Sequence, residues 1–198
     1  MTIYAWPAWP VNRFELRIIP NLRTFSGPYT PTIQVLDLMG ERWAARLDLV
    51  VTNSTIEAAA REAYFDRLKG MAHQVSLWHL RLIAPQGTLR GTPTVLDNIT
   101  QMSNATRLQT TAGATLRAGD MLGLGSQLVR IMADATADGT GAISIEFQPR
   151  ARIAIASGAA VTWAKPTANF MQRSADGVPT VWAPGRAEGA SIEFIEVP

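Results

Sequence analysis

The 198-residue chain carries 18 Lys plus Arg against 16 Asp plus Glu. That formal net charge of +2, with no run of basic residues, is too slight to mark a nucleic-acid binder. An apolar share of 47 % against 17 % charged residues excludes a disordered chain, and the absence of cysteine excludes disulfide and thiol chemistry.

The first residues, MTIYAWPAWP, lack the basic-then-apolar order of a secretory signal. No apolar run approaches the roughly 18 residues that cross a bilayer, so no membrane insertion is expected. The chain reads as a complete, soluble product folded in a cytoplasm. Arginine supplies every cation except Lys69 and Lys165. That bias suits planar, bidentate pairing at protein interfaces, and equally an arginine-rich codon usage.

In WPAWP, Pro7 and Pro10 hold Trp6 and Trp9 in an extended arm that makes few ladder bonds. Such an arm covers its own sheet edge or reaches a neighbouring subunit. FELRIIP at 14–20 alternates Phe14, Leu16 and Ile18 against Glu15 and Arg17, which predicts a half-buried strand. A turn is expected at Gly27-Pro28. A second strand follows at 32–40, with Ile33, Val35 and Asp37 on one face, and a third at 42–51 after the Met39-Gly40-Glu41 turn.

One helix is predicted, near 54–69. Ser54-Thr55-Ile56-Glu57 fits a capping box, strong helix formers follow, and Lys69-Gly70 makes a good stop. Ile56, Ala60, Ala63 or Tyr64, and Leu68 form its expected apolar stripe. Alternation resumes at 74–83 and dissolves between Ala84 and Arg107, where a domain boundary is expected. From Arg117 onward the chain reads as short strands: DMLGL, SQLVRIMA, AISIEF, ARIAIA, AAVTW, ANFMQR and SIEFIEVP. That spacing suggests a small β-sandwich or barrel. The expected organisation is therefore mainly β: residues 1–92, completed by 166–198, form one domain, and 93–165 a smaller, inserted one.

Candidate chemistry is sparse. His73 and His79 stand six apart with no carboxylate spaced to complete a metal site, so no metal is expected. Asp120, Asp134 and Asp138 sit at turns, where aspartate bonds the backbone. A glycosidase needs two facing carboxylates, and nothing selects Asp37 with Glu146. Asn53, Asn98 and Asn104 begin Asn-x-Ser/Thr triplets that mean little without a secretory signal. Gly123-Leu124-Gly125 could open a phosphate loop, but the following Ser126–Ile131 alternates as a strand and no lysine is near. The expected reading is a β turn, with the following strand paired across Asp138-Gly139 to Ala142–Phe147. No cofactor and no catalytic residue is expected. Trp43, Trp78, Trp163 and Trp182 lie in or beside strands and suit a core.

Arg117-Ala118-Gly119-Asp120, then Leu122 and Gly125–Arg130, Asp138–Gly141 and Phe147–Arg152, together resemble a motif of tailed-bacteriophage tail proteins. The Trp-Pro start, the Phe-x-Leu strand, the Ser-Gly-Pro turn and Met39–Trp43 resemble the same group. Within it the chain is most similar to the distal tail protein of long, flexible-tailed phages. The resemblance implies a tail-tube-like β-sandwich with one flanking helix plus a second small β domain. It further implies six copies in a ring that joins the tail tube to the tail-tip hub, assembled in the host cytoplasm and without catalysis. The partners implied are the chain itself, the tail-tube protein and the hub protein. Trp6, Trp9, Arg42 and Trp43 are the candidate assembly contacts. The second domain is smaller than the galectin-like domain of some such proteins. Two alternatives stay open: another tail-tip or tail-completion subunit, and a carbohydrate-binding module using Trp163 and Trp182.

Overall fold

The computed structural model describes residues 1–26 and 33–197. The turn expected at Gly27-Pro28 lies outside the described residues. Across the described residues the fold is mainly β with one helix. In chain order come β1 (Ile3–Ala5), β2 (Val11–Ile19), β3 (Leu22–Ser26), β4 (Ile33–Asp37) and β5 (Arg42–Leu49), followed by α1 (Thr55–Leu68). Next are β6 (Gln74–Trp78), β7 (Thr94–Val95), β8 (Ala105–Gln109), β9 (Thr115–Leu116), β10 (Met121–Leu124) and β11 (Gln127–Ile131). The remainder are β12 (Ala135–Thr136), β13 (Ala142–Gln148), β14 (Val161–Thr162), β15 (Thr167–Gln172), β16 (Trp182–Ala183), β17 (Arg186–Ala187) and β18 (Ser191–Glu196).

Two compact units result: residues 1–17, 43–80 and 168–198, and residues 18–42 and 81–167. The segment 18–42, which periodicity places with the first domain, clusters with the second unit. The first unit is built on a six-stranded sheet in the order β1-β6-β15-β18-β5-β2. Alternation on β5 buries Trp43, Ala45, Leu47 and Leu49, and on β18 it buries Ile192 and Phe194. β18 pairs antiparallel with both β5 and β15, and so lies inside the sheet.

Ser54 caps α1 by accepting a hydrogen bond from the Glu57 N–H at 3.3 Å. Glu57 does not reach back to the Ser54 N–H itself. The Thr52 hydroxyl accepts that N–H and donates to the Glu57 carboxylate at 2.9 Å, relaying the usual box. Lys69, with φ near +50°, ends the helix, and Gly70 follows at φ +61°. The buried face is Ala58, Arg61, Phe65 and Leu68, so of the expected stripe only Leu68 is buried, while Ala60 and Ala63 are exposed and Tyr64 is half-buried. Ile56 is 83 % exposed. Arg61 takes a core position because its guanidinium donates to the Val50 carbonyl and pairs with Glu57 at 2.7 Å.

The second unit holds a six-stranded sheet in the order β14-β10-β11-β13-β8-β7. It nearly closes into a barrel. Beside β14, the Val95 N–H donates to Ala159 and the Val161 N–H to Pro93, tying β7 back to the other end of the order. Leu108, Leu122, Val129, Ile143, Ile145 and Phe147 lie in one core cluster of this unit. β10 and β11 form a two-residue hairpin, with Leu124 opposite Gln127. Gly125 alone has positive φ there, the pattern of a type II′ turn that favours glycine first. The sequence-based pairing of β11 across Asp138-Gly139 is therefore only partly right. β11 meets β13 at Arg130 and Ile131, while its longer partner is β10.

Two expected strands differ. Alternation at 74–83 continues as β6 only to Trp78. ARIAIA forms no strand, only an isolated bridge from Ile155 to Ile99. Its backbone is taken elsewhere: the Arg152 N–H donates to the Gln127 side chain and the Ala151 N–H to Ser103. β3, where periodicity places no strand, pairs in full with β4.

Candidate assembly surface

The WPAWP arm folds onto its own unit. The Trp6 N–H donates to the Ser76 carbonyl, and the Trp6 ring is buried edge-on to Trp9, Tyr64 and Phe194, at centroid distances of 5.5, 6.1 and 6.1 Å. Trp9 is half-buried against Tyr64 and Phe65. The Tyr64 hydroxyl donates to the Ala5 carbonyl, and burial pushes its acidity far down, raising its pKa. Trp43 is fully buried, with its N–H donating to the Glu196 carboxylate at 2.9 Å. Trp6 and Trp43 are therefore core residues of the protomer, which corrects their place among the candidate contacts. Arg42 is exposed, and Trp9 keeps a partly open face.

A surface that periodicity misses lies on the β3–β4 hairpin. Register puts Leu22 opposite Asp37, Thr24 opposite Val35 and Ser26 opposite Ile33 on one face. Arg23 opposite Leu36 and Phe25 opposite Gln34 occupy the other. Every one of these residues is exposed, so the ribbon presents Leu22, Ile33 and Val35 on one side and Phe25 and Leu36 on the other. The strand alternation around Ile33 and Val35 was legible, but alternation implies a covered face, and here neither face is covered.

The hairpin base is tied down by charge. The Asp37 carboxylate accepts from the Met39 N–H and from Arg150 at 2.8 Å, and these two donors hold it below the usual carboxylate range. Arg150 also stands 3.5 Å from Glu41, which is nearly buried. Asp37 is thus an ion-paired structural carboxylate. The six-stranded sheet of the first unit adds a second feature: among the described residues its order ends at β1 and β2.

The remaining candidates resolve into structural parts. The Asp120 carboxylate is buried and accepts from the Gln86, Gly87 and Arg117 N–H groups. Asp134 accepts from the Ala118 N–H and Arg117, and Asp138 from the Thr140 and Ala142 N–H groups. Nδ1 of His73 accepts from the Thr2 N–H, and His79 lies edge-on to Phe14. Trp163 donates to the Gly91 carbonyl and carries the Arg90 guanidinium over its ring, so that face is taken. Trp182 is about half exposed, on the β16–β17 hairpin. Gly123 and Gly125 lie in a β-hairpin with no helix N-terminus after them. Among the described residues no group of His, Cys, Asp and Glu is placed to hold a metal ion, and no helix is long and apolar enough to cross a membrane. No protein-family model and no curated protein matches the chain.

Proposed function

We propose that the protein is a ring-forming structural adaptor of a phage tail tip, of the distal tail type, joining tail tube to hub without catalysis. The observation that carries this reading is the β3–β4 hairpin, apolar and exposed on both faces. A two-stranded ribbon is marginal in water by itself, and burying a large apolar side chain contributes roughly 1.5–3 kcal/mol. The ribbon leaves that contribution unused on five side chains in the protomer. A ring supplies cover on both sides at once, because each subunit has two neighbours in a heterologous contact. The open ends of the six-stranded sheet support the same arrangement, since unpaired edges are hazards in a monomer and joints in a closed assembly. The resemblance of the 117–152 stretch to tail proteins supplies the setting.

Light scattering on the eluting species of a gel-filtration run tests it. A discrete ring, six protomers in the leading form, is the expected result. A strict monomer across the accessible concentration range overturns the proposal.

A further inference from the structure

The chain contains two Asp-Gly pairs, Asp138-Gly139 and Asp176-Gly177, and no Asn-Gly. An aspartate followed by glycine is open to one backbone reaction, because the glycine has no Cβ to shield its peptide nitrogen. That nitrogen attacks the aspartate Cγ and forms a new C–N bond. The amide hydrogen and the carboxyl O–H leave as water, and a five-membered cyclic imide results. Water then adds to one of the two imide carbonyls and breaks its bond to nitrogen. Opening at the side-chain carbonyl restores aspartate. Opening at the main-chain carbonyl leaves isoaspartate, with the chain running through Cγ. The sequence of steps needs no oxidant and no cofactor.

The two pairs differ in their carboxylates and not in their nucleophiles. Neither glycine N–H donates a hydrogen bond among the described residues, and a Cβ at either glycine would meet nothing within 4 Å. Oδ1 of Asp138 accepts from the Thr140 N–H at 2.8 Å, the Thr140 hydroxyl at 2.6 Å and the Ala142 N–H at 3.0 Å. Attack makes Cγ tetrahedral and swings its oxygens, which those three bonds resist. The same donors, the Thr140 hydroxyl first, hold Asp138 below the ordinary carboxylate range. Less of the protonated carboxyl, the better electrophile, is therefore present.

Asp176 has none of this restraint. It is exposed, and its carboxylate accepts no hydrogen bond and meets no cation among the described residues. Its backbone, in contrast, is held: the Asp176 N–H donates to the Ser174 hydroxyl at 3.2 Å. The preceding Ala175 carbonyl lies so close to Gly70 that a Cβ there would come within 2.5 Å of it. Gly177 follows with φ +76°.

We propose that Asp176-Gly177 is the preferred site of spontaneous isoaspartate formation in this protein, and that the hydrogen bonds at Asp138 protect the other pair. The product lengthens the β15–β16 connection by one backbone atom and leaves a free α-carboxylate on it. That is the group an isoaspartyl methyltransferase recognises. The site is independent of self-association, because a single protomer supplies both reacting atoms.

The full chain is incubated for several weeks near body temperature at neutral pH, folded in one arm and unfolded in urea in the other. Trypsin then separates the two pairs into peptides 174–186 and 131–150. Isoaspartate in each is counted by methyl transfer from labelled S-adenosylmethionine. In the folded chain it should accumulate at Asp176 at least about tenfold faster than at Asp138, the factor that one charge-assisted hydrogen bond contributes to a barrier. In urea the two rates should converge. Thr140→Val removes the hydroxyl donor, so it should raise the Asp138 rate in the folded chain severalfold and leave the Asp176 rate unchanged. The proposal is overturned if the folded chain modifies both pairs equally, favours Asp138 or modifies neither. It is also overturned if the preference persists in urea, or if a folded Thr140→Val chain keeps the parent rate at Asp138.

Discussion

Charge at single residues divides into two kinds, and the difference is measurable. Asp120 is buried and holds three backbone N–H groups of its own unit. Asp120→Ala strands those donors, so a loss of about 3 kcal/mol or more is expected in urea denaturation, and Asp120→Asn should recover part of it. Asp37, Asp97, Asp134 and Asp138 are exposed, and each is held below the ordinary value of 3.8 by hydrogen bonds. The principal donors are, in turn, the Met39 N–H, Arg107, the Ala118 N–H and the Thr140 hydroxyl. A carboxylate whose folded pKa lies below its unfolded one contributes stability that is complete above the unfolded value. That stability drains away as pH falls through the folded value. The urea midpoint should therefore be level from neutrality to about pH 5 and fall below about pH 4. Asp97→Asn should flatten part of that fall, and a midpoint insensitive to acid would contradict the assignment. The turn aspartates were legible in the sequence because a short acceptor beside Gly or Ala at a strand end has one common local use. Burial of Asp120 was not legible, since its partners Gln86 and Gly87 are distant in the chain.

Among the elements, α1 shows what periodicity captures and what it omits. Its start and stop follow local chemistry, a hydroxyl at the cap and a Lys-Gly exit, and local chemistry is readable. Its buried face depends on Arg61, which hydropathy assigns to solvent and which only the Val50 carbonyl and Glu57 make burial-compatible. The consequences differ by position. Ile56→Lys should change stability by no more than about 0.5 kcal/mol, despite removing a large apolar residue. Phe65→Ala, on the buried face of the same helix, should cost about 3–5 kcal/mol. Ser54→Ala should cost about 1 kcal/mol through the lost cap. Gly70→Ala combines positive φ with a Cβ only 2.5 Å from the Ala175 carbonyl oxygen, so it should destabilise more than the cap change. Thermal or urea melts of the four variants give the ranking directly. The β3–β4 hairpin was half legible for a related reason. Alternating apolar residues mark a strand, but nothing in them says whether the protomer covers them.

At the scale of the molecule, the mainly β character and the run of short strands after Arg117 were plain from spacing alone. Strand order was not, because it depends on pairings between distant residues. β18 beside β5 and the near-closure at β7 and β14 are examples. The grouping of 18–42 with 81–167 escaped for the same reason. The self-association proposal yields its own prediction at this scale. Phe25→Glu combined with Val35→Glu places a charge on each face of the hairpin. Neither residue is buried in the protomer. The double variant should keep the parent melting transition while shifting light scattering to a smaller species. Persistence of the assembled mass would move the interface elsewhere. The interior position of β18 also bears on how the protein is made. During translation every barrel strand emerges before it, so the second unit can mature on the ribosome while the first sheet still lacks an inner member. Until β18 arrives, β5 and β15 expose the edges reserved for it, and a nascent chain at that stage is the form most in need of protection by a chaperone.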